Sequence, residues 1–436
     1  MGAFDHNRSV KRRVFKQSLD TYFAAKDGRG STLPDALSKR SRFDVWPRIS
    51  IFSANPLEYF GGGEAFAMSL ANTLLSLGYQ VRVVADSRAK KDVRISLDDI
   101  GRMLKCEYTK LHYVMERISA IFYYIYQPLP PIAALRDSEV NLVFVYRPVP
   151  KSYLKSISAI DSITVFLFHG ITIEKNVRHS AKVLFFENLV KFRLRSGRHH
   201  YSSDNVFSQV LNQNTLDFLL AIGIDREHIF KIPFAQELGS YRVTKVNDVF
   251  QVVFIGRLNK NQKGIDTLSR AISEVVGRGF PEIRFVVIGT GPDLSVVEEV
   301  SDGSNSVKIT GYVSSGEKVD ILSKSNLMLI TSNIDPYPAT VQEGLASGLP
   351  VVSTNVSGPS EMIEKDPIFG SVVPHDIDSI VSRILVYFEN WRSDKDRYYN
   401  EKLVRRQIAL STFDPTAMMV AYKEMIERVL HIPGPP

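Results

Sequence analysis

The most informative segment of the chain is SNIDPYPATVQEGLASGLP, residues 332–350. One apolar run precedes it at 327–330, and another follows it at 351–352. This order predicts a strand, a polar turn, a short helix and a second strand, an arrangement that forms ligand crevices in open α/β sheets. Asp335 falls in the turn and Glu343 in the helix. Because the start of a helix attracts anions, the segment predicts a ligand with a phosphate and with hydroxyl groups that the two acids can bind.

The composition is that of a soluble globular protein, with 436 residues of which 44% are hydrophobic and 23% charged. This length is enough for two ordinary domains. The one cysteine, Cys106, excludes an internal disulfide framework and favours a reducing compartment. Residues 1–16 are charged and lack the apolar core of a signal peptide. No run reaches the ~18–20 apolar residues of a membrane span, so a cytoplasmic location is expected.

The formal net charge is +7, and the positive excess lies in residues 1–240. Two basic amphipathic segments, 10–23 and 183–200, are candidates for peripheral contact with an anionic membrane, at about 1 kcal/mol per basic residue near the surface. A solvated basic face, or packing against the domain, explains the same pattern. The sequence therefore also allows peripheral association with the inner face of the membrane. Nucleic acid is not an expected partner.

Strand and helix signals alternate along most of the chain, which predicts parallel sheets with helices on both faces. A polar connector at 235–249 separates two such doubly wound halves. The predicted organisation is a basic N-terminal extension over 1–47, a first domain over 48–240, a second domain over 241–412 and a final helical segment over 413–436.

Two cations, Arg257 and Lys263, follow a predicted strand of the second domain. An arginine fork can bind phosphate through two hydrogen bonds, and a lysine acts as a point charge, so the pair could hold a diphosphate. Taken alone, either cation could be an ordinary surface residue. Together with Asp335 and Glu343 at the same sheet edge, they favour a binding site. The turn at 289–291 lacks the third glycine of a dinucleotide fingerprint, which argues against a dehydrogenase.

Several motifs occur in a characteristic order. They are Gly61-Gly62-Gly63-Glu64, Phe168-His169-Gly170, Ile255-Gly256-Arg257-Leu258 with Lys263-Gly264, Ile288-Gly289-Thr290-Gly291-Pro292, and Asp335 and Glu343 followed by Ala346-Ser347-Gly348-Leu349-Pro350. In combination they resemble the retaining glycosyltransferases of family 4, which have the GT-B fold. The resemblance implies two Rossmann-like domains facing across a cleft. Residues 48–240 would be the acceptor side, 241–412 would hold the nucleotide-sugar donor, and the helix in 413–436 would cross back to the first domain.

The resemblance also implies roles for individual residues. Arg257 and Lys263 would hold the donor diphosphate, and Glu343 would bind the nucleotide ribose. Asp335 and His169 would lie at the transferred sugar as the catalytic residues. Further donor contacts are implied for Gly61, Gly62, Gly63, Gly311, Tyr312, Tyr337, Pro338, Ala339 and Thr340.

Two residues depart from the family pattern. The first acid, Asp335, is one methylene shorter than the usual glutamate, and Pro338 stands where many relatives have glycine. Proline removes an N–H group that could meet the ligand. Either the sugar sits differently or the donor is an unusual one. His169 also fits a plain hydrogen-bonded histidine at a strand end.

The implied activity is retaining transfer of a sugar from a UDP- or GDP-sugar to a cell-surface glycan acceptor, with a lipid-linked acceptor as one option. No metal and no cofactor are expected, because cations and a helix start can stabilise the leaving diphosphate electrostatically. Two alternatives stay open. One is a nucleotide-sugar epimerase of the same fold, and the other is a non-catalytic GT-B binding protein.

Overall fold

The structure is a computed structural model that describes part of the chain. The described residues are 47–53, 62–86, 104–106, 129–170, 174, 181–245, 248–301 and 306–430. The predicted segment 10–23 and Gly61 lie outside them, as do the side chains of 183–187 within the predicted segment 183–200. The described strands form two parallel sheets, which confirms the predicted fold class.

The first sheet contains seven strands within the described residues, in the order β3-β2-β1-β4-β5-β6-β7. All neighbours are parallel. The strands are β1 (Arg48–Ser53), β2 (Gln80–Asp86), β3 (Leu104–Cys106), β4 (Val140–Val145), β5 (Ile163–Phe168), β6 (Val206–Val210) and β7 (Ile229–Lys231). The helices are α1 (Gly62–Ser76), α2 (Ile132–Leu135), α3 (Lys151–Ile157), α4 (Ala181–Tyr201) and α5 (Gln213–Ala221), with a 3₁₀ turn at Arg226–His228.

The second sheet is also parallel, with the described strand order β10-β9-β8-β11-β12-β13. The strands are β8 (Phe250–Ile255), β9 (Ile283–Ile288), β10 (Val307–Gly311), β11 (Leu327–Ile330), β12 (Val351–Thr354) and β13 (Gly370–Val373). The helices are α6 (Lys260–Lys263), α7 (Ile265–Gly277), α8 (Ser295–Ser301), α9 (Ser315–Lys324), α10 (Ala339–Ala346), α11 (Ser357–Ile363), α12 (Ile377–Ser393), α13 (Lys395–Thr412) and α14 (Pro415–Val429), with a 3₁₀ turn at Pro367–Phe369.

Apolar patterning explains why these elements form. Every residue of β4 and of β11 is buried, as expected for parallel strands that helices cover on both faces. On α7, the buried residues Ile265, Leu268, Ile272 and Val275 recur every three or four positions. This spacing makes one apolar face, which packs on the sheet.

Polar residues define where the helices begin. Ser314 and Glu317 form a capping box at the start of α9. Asp376, Asp394 and Asp414 each accept a hydrogen bond from a first-turn N–H group of α12, α13 and α14. Such caps satisfy N–H groups that have no partner inside the helix, typically at a gain of about 1 kcal/mol each.

The last helix, α14, lies against α1 of the first half. The rings of Tyr422 and Phe66 are 6.3 Å apart between centroids, and the N–H of Ala235 donates to the sulfur of Met418 at 3.3 Å. Tyr422 is fully buried. Helix α14 therefore packs against the first domain.

Each sheet reverses its strand order at one place, between β1 and β4 in the first sheet and between β8 and β11 in the second. In open α/β sheets, ligands bind beyond the carboxyl ends of the strands at such a reversal. Lys263 ends α6, the short helix that follows β8, and Asp335 lies in the loop after β11. The fold therefore puts these two predicted site residues where a ligand crevice is expected.

Candidate active site

Lys263 and Asp335 form an ion pair across the strand-order reversal of the second sheet. Their side chains are only 15% and 8% exposed, so solvent screens the pair weakly. The hydroxyl of Ser332 also lies 3.3 Å from the Asp335 carboxylate. The two residues were predicted to share one sheet edge, and the structure brings them into direct contact.

Glycine fixes the backbone beside Lys263. Gly264 ends α6 with φ of 60°, the left-handed region that favours glycine. A Cβ atom there would overlap the carbonyl oxygen of Thr331. The hydroxyl of Thr331 in turn donates to the carbonyl of Lys263 at 2.9 Å. The segments after β8 and β11 are thus held together at Lys263 and Gly264.

The start of α10 presents polar groups that have no partner among the described residues. Pro338 is the N-cap residue, and no side chain among the described residues caps the first turn. The hydroxyl oxygen of Thr340 is buried and has no hydrogen-bond partner in the described part of the chain. Free N–H groups and the helix dipole make such a turn suitable for an anion.

Glu343 lies in the second turn of α10 and is 5% exposed. Its Oε1 accepts a hydrogen bond from the ammonium of Lys318 at 2.6 Å. Its Oε2 is buried and has no partner among the described residues. Burial raises the pKa of Tyr241, and the negative charge of Glu343 and a hydrogen bond between the two side chains raise it further. Lys318 and Tyr241 were not predicted as site residues, because only folding brings them to Glu343.

His169 follows β5 and lies between aromatic rings of the first domain. Its ring centroid is 4.7 Å from that of Phe66 and 4.8 Å from that of Phe144. Its Nε2 is 3.1 Å from Oε1 of Gln209, whose amide nitrogen donates to the carbonyl of Ile232 at 2.6 Å. The Gln209 oxygen therefore faces His169, which puts the imidazole proton on Nε2 and leaves Nδ1 as an acceptor.

Burial lowers the pKa of His169 to about 4, against a partly opposing hydrogen bond to Gln209. In the unfolded chain the pKa is about 6.5, so as pH falls the unfolded state takes up the proton first. The stability contributed by neutral His169 is present above about pH 6.5 and is lost as pH falls towards 4. His169→Gln should remove about one proton of uptake from the pH dependence of urea unfolding between pH 6.5 and 4. An unchanged dependence would contradict a neutral His169 in the folded protein.

Loops of the first domain contact the turn that contains Asp335. The side-chain amide of Asn212 donates to the carbonyl of Pro336 at 2.6 Å. The N–H of Gln213 donates to Glu361 at 2.6 Å, and Lys231 pairs with the same carboxylate at 2.8 Å. The position of the Asp335 turn therefore depends on both domains.

A second set of contacts joins the domains near α10 and α11. The amide of Gln342 donates to the carbonyl of Phe234 at 2.7 Å. The buried carboxylate of Glu174 accepts hydrogen bonds from the N–H and the hydroxyl of Ser357, at 2.9 and 2.7 Å. The start of α11 is thereby capped by a residue of the first domain.

The other predicted donor contacts surround this region. Arg257 is exposed at the end of β8, and its guanidinium pairs with no carboxylate in the described ranges. Gly311 has φ of 67°, and Tyr312 is 41% exposed. Tyr337 is buried, which raises its pKa. Ala339 begins α10, while Gly62 and Gly63 begin α1.

Two Asp-x-Asp triplets, at 376–378 and 394–396, occupy the starts of α12 and α13. Asp376 and Asp394 cap those helices, so the first acid of each triplet has a structural role. The described residues contain no group of three or more His, Cys, Asp or Glu side chains suited to a metal ion. None of the described helices combines the length and the apolar character needed to cross a bilayer.

The two parallel-sheet domains have the GT-B fold, and the second domain matches a family model of glycosyl transferases. The class of the chain is therefore a GT-B glycosyltransferase. Residues 249–390 match the family model for glycosyl transferases group 1. Membership of family 4 itself stays a prediction.

Similar proteins support the class. The chain is 26% identical over 325 residues to a phosphatidylinositol N-acetylglucosaminyltransferase subunit from Arabidopsis thaliana, covering 71% of this chain and 67% of the relative. It is 25% identical over 310 residues to the gpi3 subunit of the same transferase from Schizosaccharomyces pombe, covering 70% and 65%. The alignments thus span about two thirds of each relative's length. Sucrose-phosphate synthase from Thermosynechococcus elongatus shares the fold, with a TM-score of 0.68 over 89% of this chain and 100% of that chain at 14% identity.

Proposed function

We propose that the protein is a retaining, metal-independent glycosyltransferase that uses a UDP- or GDP-sugar and glycosylates a cell-surface glycan precursor. One observation carries the proposal. Two buried polar atoms, Oγ1 of Thr340 and Oε2 of Glu343, lack partners among the described residues on one helix at the strand-order reversal. Buried polar groups usually have hydrogen-bond partners, so these two atoms at the start of one helix are suited to bind a ligand with phosphate and hydroxyl groups.

The nucleotide diphosphate would bind at the start of α10, within reach of the cations that follow β8. Arg257 is exposed and pairs with no carboxylate among the described residues. Lys263 would bind the phosphate in place of part of its ion pair with Asp335. The freed carboxylate oxygens of Asp335 would accept hydrogen bonds from the sugar hydroxyls. Fixed positive groups at the leaving diphosphate stabilise the charge that develops there, which is why no metal ion is required.

Retention would follow from attack on the sugar face that the diphosphate leaves. The acceptor hydroxyl forms the new bond to the anomeric carbon as the bond to the phosphate oxygen breaks, and that oxygen takes the acceptor proton. No carboxylate nucleophile is needed, in contrast to the paired carboxylates of glycosidases. His169 would stay neutral and accept a sugar hydroxyl at Nδ1, a positioning contact.

The names of the relatives suggest the first substrates to test. Both are N-acetylglucosaminyltransferase subunits whose names include phosphatidylinositol. We therefore place a UDP- or GDP-linked N-acetylhexosamine first among the donors and a membrane lipid first among the acceptors. Neither name favours an epimerase or a non-catalytic protein.

The exposed face of α4 fits a membrane-bound acceptor. Phe192 is 70% exposed, and Lys191 and Arg195 beside it are also exposed. An apolar ring next to cations is the combination that binds the surface of anionic membranes. We propose peripheral association of a cytoplasmic protein through this face.

Charge reversal on this face tests the association. The double variant Lys191→Glu, Arg195→Glu should weaken sedimentation with phosphatidylserine vesicles by at least about tenfold, because each basic residue contributes about 1 kcal/mol. The matched control is Arg270→Glu with Lys308→Glu, two exposed cations of the second domain. Equal weakening by both pairs, or no weakening at low salt, would contradict a specific role for α4.

Glycolipid formation tests the function. The protein would be incubated with UDP-N-acetylglucosamine, UDP-glucose or GDP-mannose and vesicles that contain phosphatidylinositol or diacylglycerol, with and without EDTA. We expect one donor to yield an α-linked glycolipid, identified by mass spectrometry and NMR, in both conditions. A β-linked product would contradict retention, and loss with EDTA would contradict metal independence. Nucleotide release without any lipid product would contradict the lipid acceptor.

A further inference from the structure

We infer that Lys318 is a positioning residue for the nucleotide ribose, acting through Glu343. The inference rests on the proposed function, because it takes Glu343 as the ribose contact. Lys318 is on α9 and Glu343 on α10, and the two helices are connected through β11. Their side chains meet at 2.6 Å, with exposed fractions of 24% and 6%.

The two oxygens of the Glu343 carboxylate have different surroundings. Oε1 is held by the Lys318 ammonium, while Oε2 is buried and has no partner among the described residues. A buried carboxylate without a counter-charge is costly and tends to turn towards water or take up a proton. Lys318 supplies the counter-charge at Oε1, and a hydrogen bond with Tyr241 also involves this carboxylate, so its orientation is fixed.

The position of α9 makes this arrangement relevant to a nucleotide. The helix begins with the capping box of Ser314 and Glu317, immediately after the turn at Gly311 and Tyr312. The same short segment thus carries two predicted donor contacts, Gly311 and Tyr312, and the lysine that orients Glu343.

The proposal differs from simple attraction of the phosphates by Lys318. An attracting lysine would affect every nucleoside diphosphate equally, whether or not it has ribose hydroxyls. A positioning lysine affects only the binding that depends on those hydroxyls. Discrimination between a ribonucleotide and its dideoxy analogue therefore separates the two roles.

Calorimetric titrations of the full chain with UDP and 2′,3′-dideoxy-UDP, and with the matching guanosine pair, provide this test. The natural protein should prefer the ribonucleotide by about tenfold or more, the size expected for hydrogen bonds to a charged group. In Lys318→Met the preference should fall to about twofold or less, and in Lys318→Arg most of it should return. Lys324→Met, which removes an exposed lysine from the same helix, should leave the preference for the ribonucleotide unchanged.

The outcomes separate this inference from the proposed function. Failure of all four nucleotides to bind the natural protein would contradict the proposed donor site. Binding with equal losses for both members of a pair in Lys318→Met, or with a preserved preference, would overturn the role of Lys318 alone. Thermal unfolding of each variant identifies a loss that comes from misfolding, and Lys318→Arg then decides the result.

Discussion

Lys263→Met is expected to lower kcat/KM for the nucleotide-sugar donor by about 100-fold or more. Removal of one preorganised charge or donor from a developing anion typically costs two to three powers of ten. The structure gives Lys263 a fixed place for this role, between the left-handed Gly264 and the carboxylate of Asp335. The measurement is steady-state release of nucleoside diphosphate from the donor that the substrate panel identifies.

A mutant cycle with Asp335 separates a direct role of Lys263 from an indirect one. Lys263→Met alone leaves the largely buried Asp335 without its cation, which should cost about 3–5 kcal/mol of stability. Asp335→Asn relieves that cost. If Lys263 acts on the diphosphate, Lys263→Met should still lower kcat/KM by about 100-fold in the Asp335→Asn background. Little further loss in that background would mean that Lys263 only holds Asp335 in place.

Gly264→Ala is expected to destabilise the protein by about 3 kcal/mol. A left-handed alanine costs about 1 kcal/mol, and overlap of its Cβ with the carbonyl of Thr331 adds a shift of both loops. Because Lys263 precedes this position, the same shift should lower donor turnover. Urea unfolding and the nucleotide-release assay measure the two effects.

Gly279→Ala is the matched control for the loop contact. Gly279 has φ of 75°, close to the 60° of Gly264, but nothing lies within 4 Å of the place that a Cβ would take there. Gly279→Ala should therefore lower the stability by about 1 kcal/mol, from backbone strain alone, and leave the activity unchanged. Equal losses for the two alanine variants would show that the close approach to Thr331 does not hold the site.

The local pattern of residues 332–350 was sufficient to predict the elements around the site. Apolar runs on either side predicted two strands, and the structure has β11 and β12 there, with the short helix α10 between them. Parallel strands place their carboxyl ends at one edge, so the proximity of Lys263 and Asp335 could also be expected. Their direct ion pair depends on side-chain packing, which spacing in the chain does not determine.

Other features could not be obtained from sequence patterns. Lys318 lies on α9 and Glu343 on α10, with β11 between the two helices. No local motif marks Lys318 as a site residue. Gln209 meets His169 because β6 pairs with β5 in a particular register. The contact of Asn212 with Pro336 requires the two domains to be packed together. Long-range contacts of this kind follow from the tertiary arrangement, which composition and periodicity leave undetermined.

The most direct test of the account is proton NMR of a nucleotide-sugar panel incubated with the protein and no acceptor. We expect slow release of nucleoside diphosphate and free sugar from one donor, since water can replace the acceptor. Glu343→Gln should reduce this release at least about tenfold, which corresponds to about 1.4 kcal/mol of barrier. Conversion of the donor into a new nucleotide sugar would instead identify an epimerase. A panel that is neither consumed nor bound would contradict a donor site at Lys263, Asp335 and Glu343.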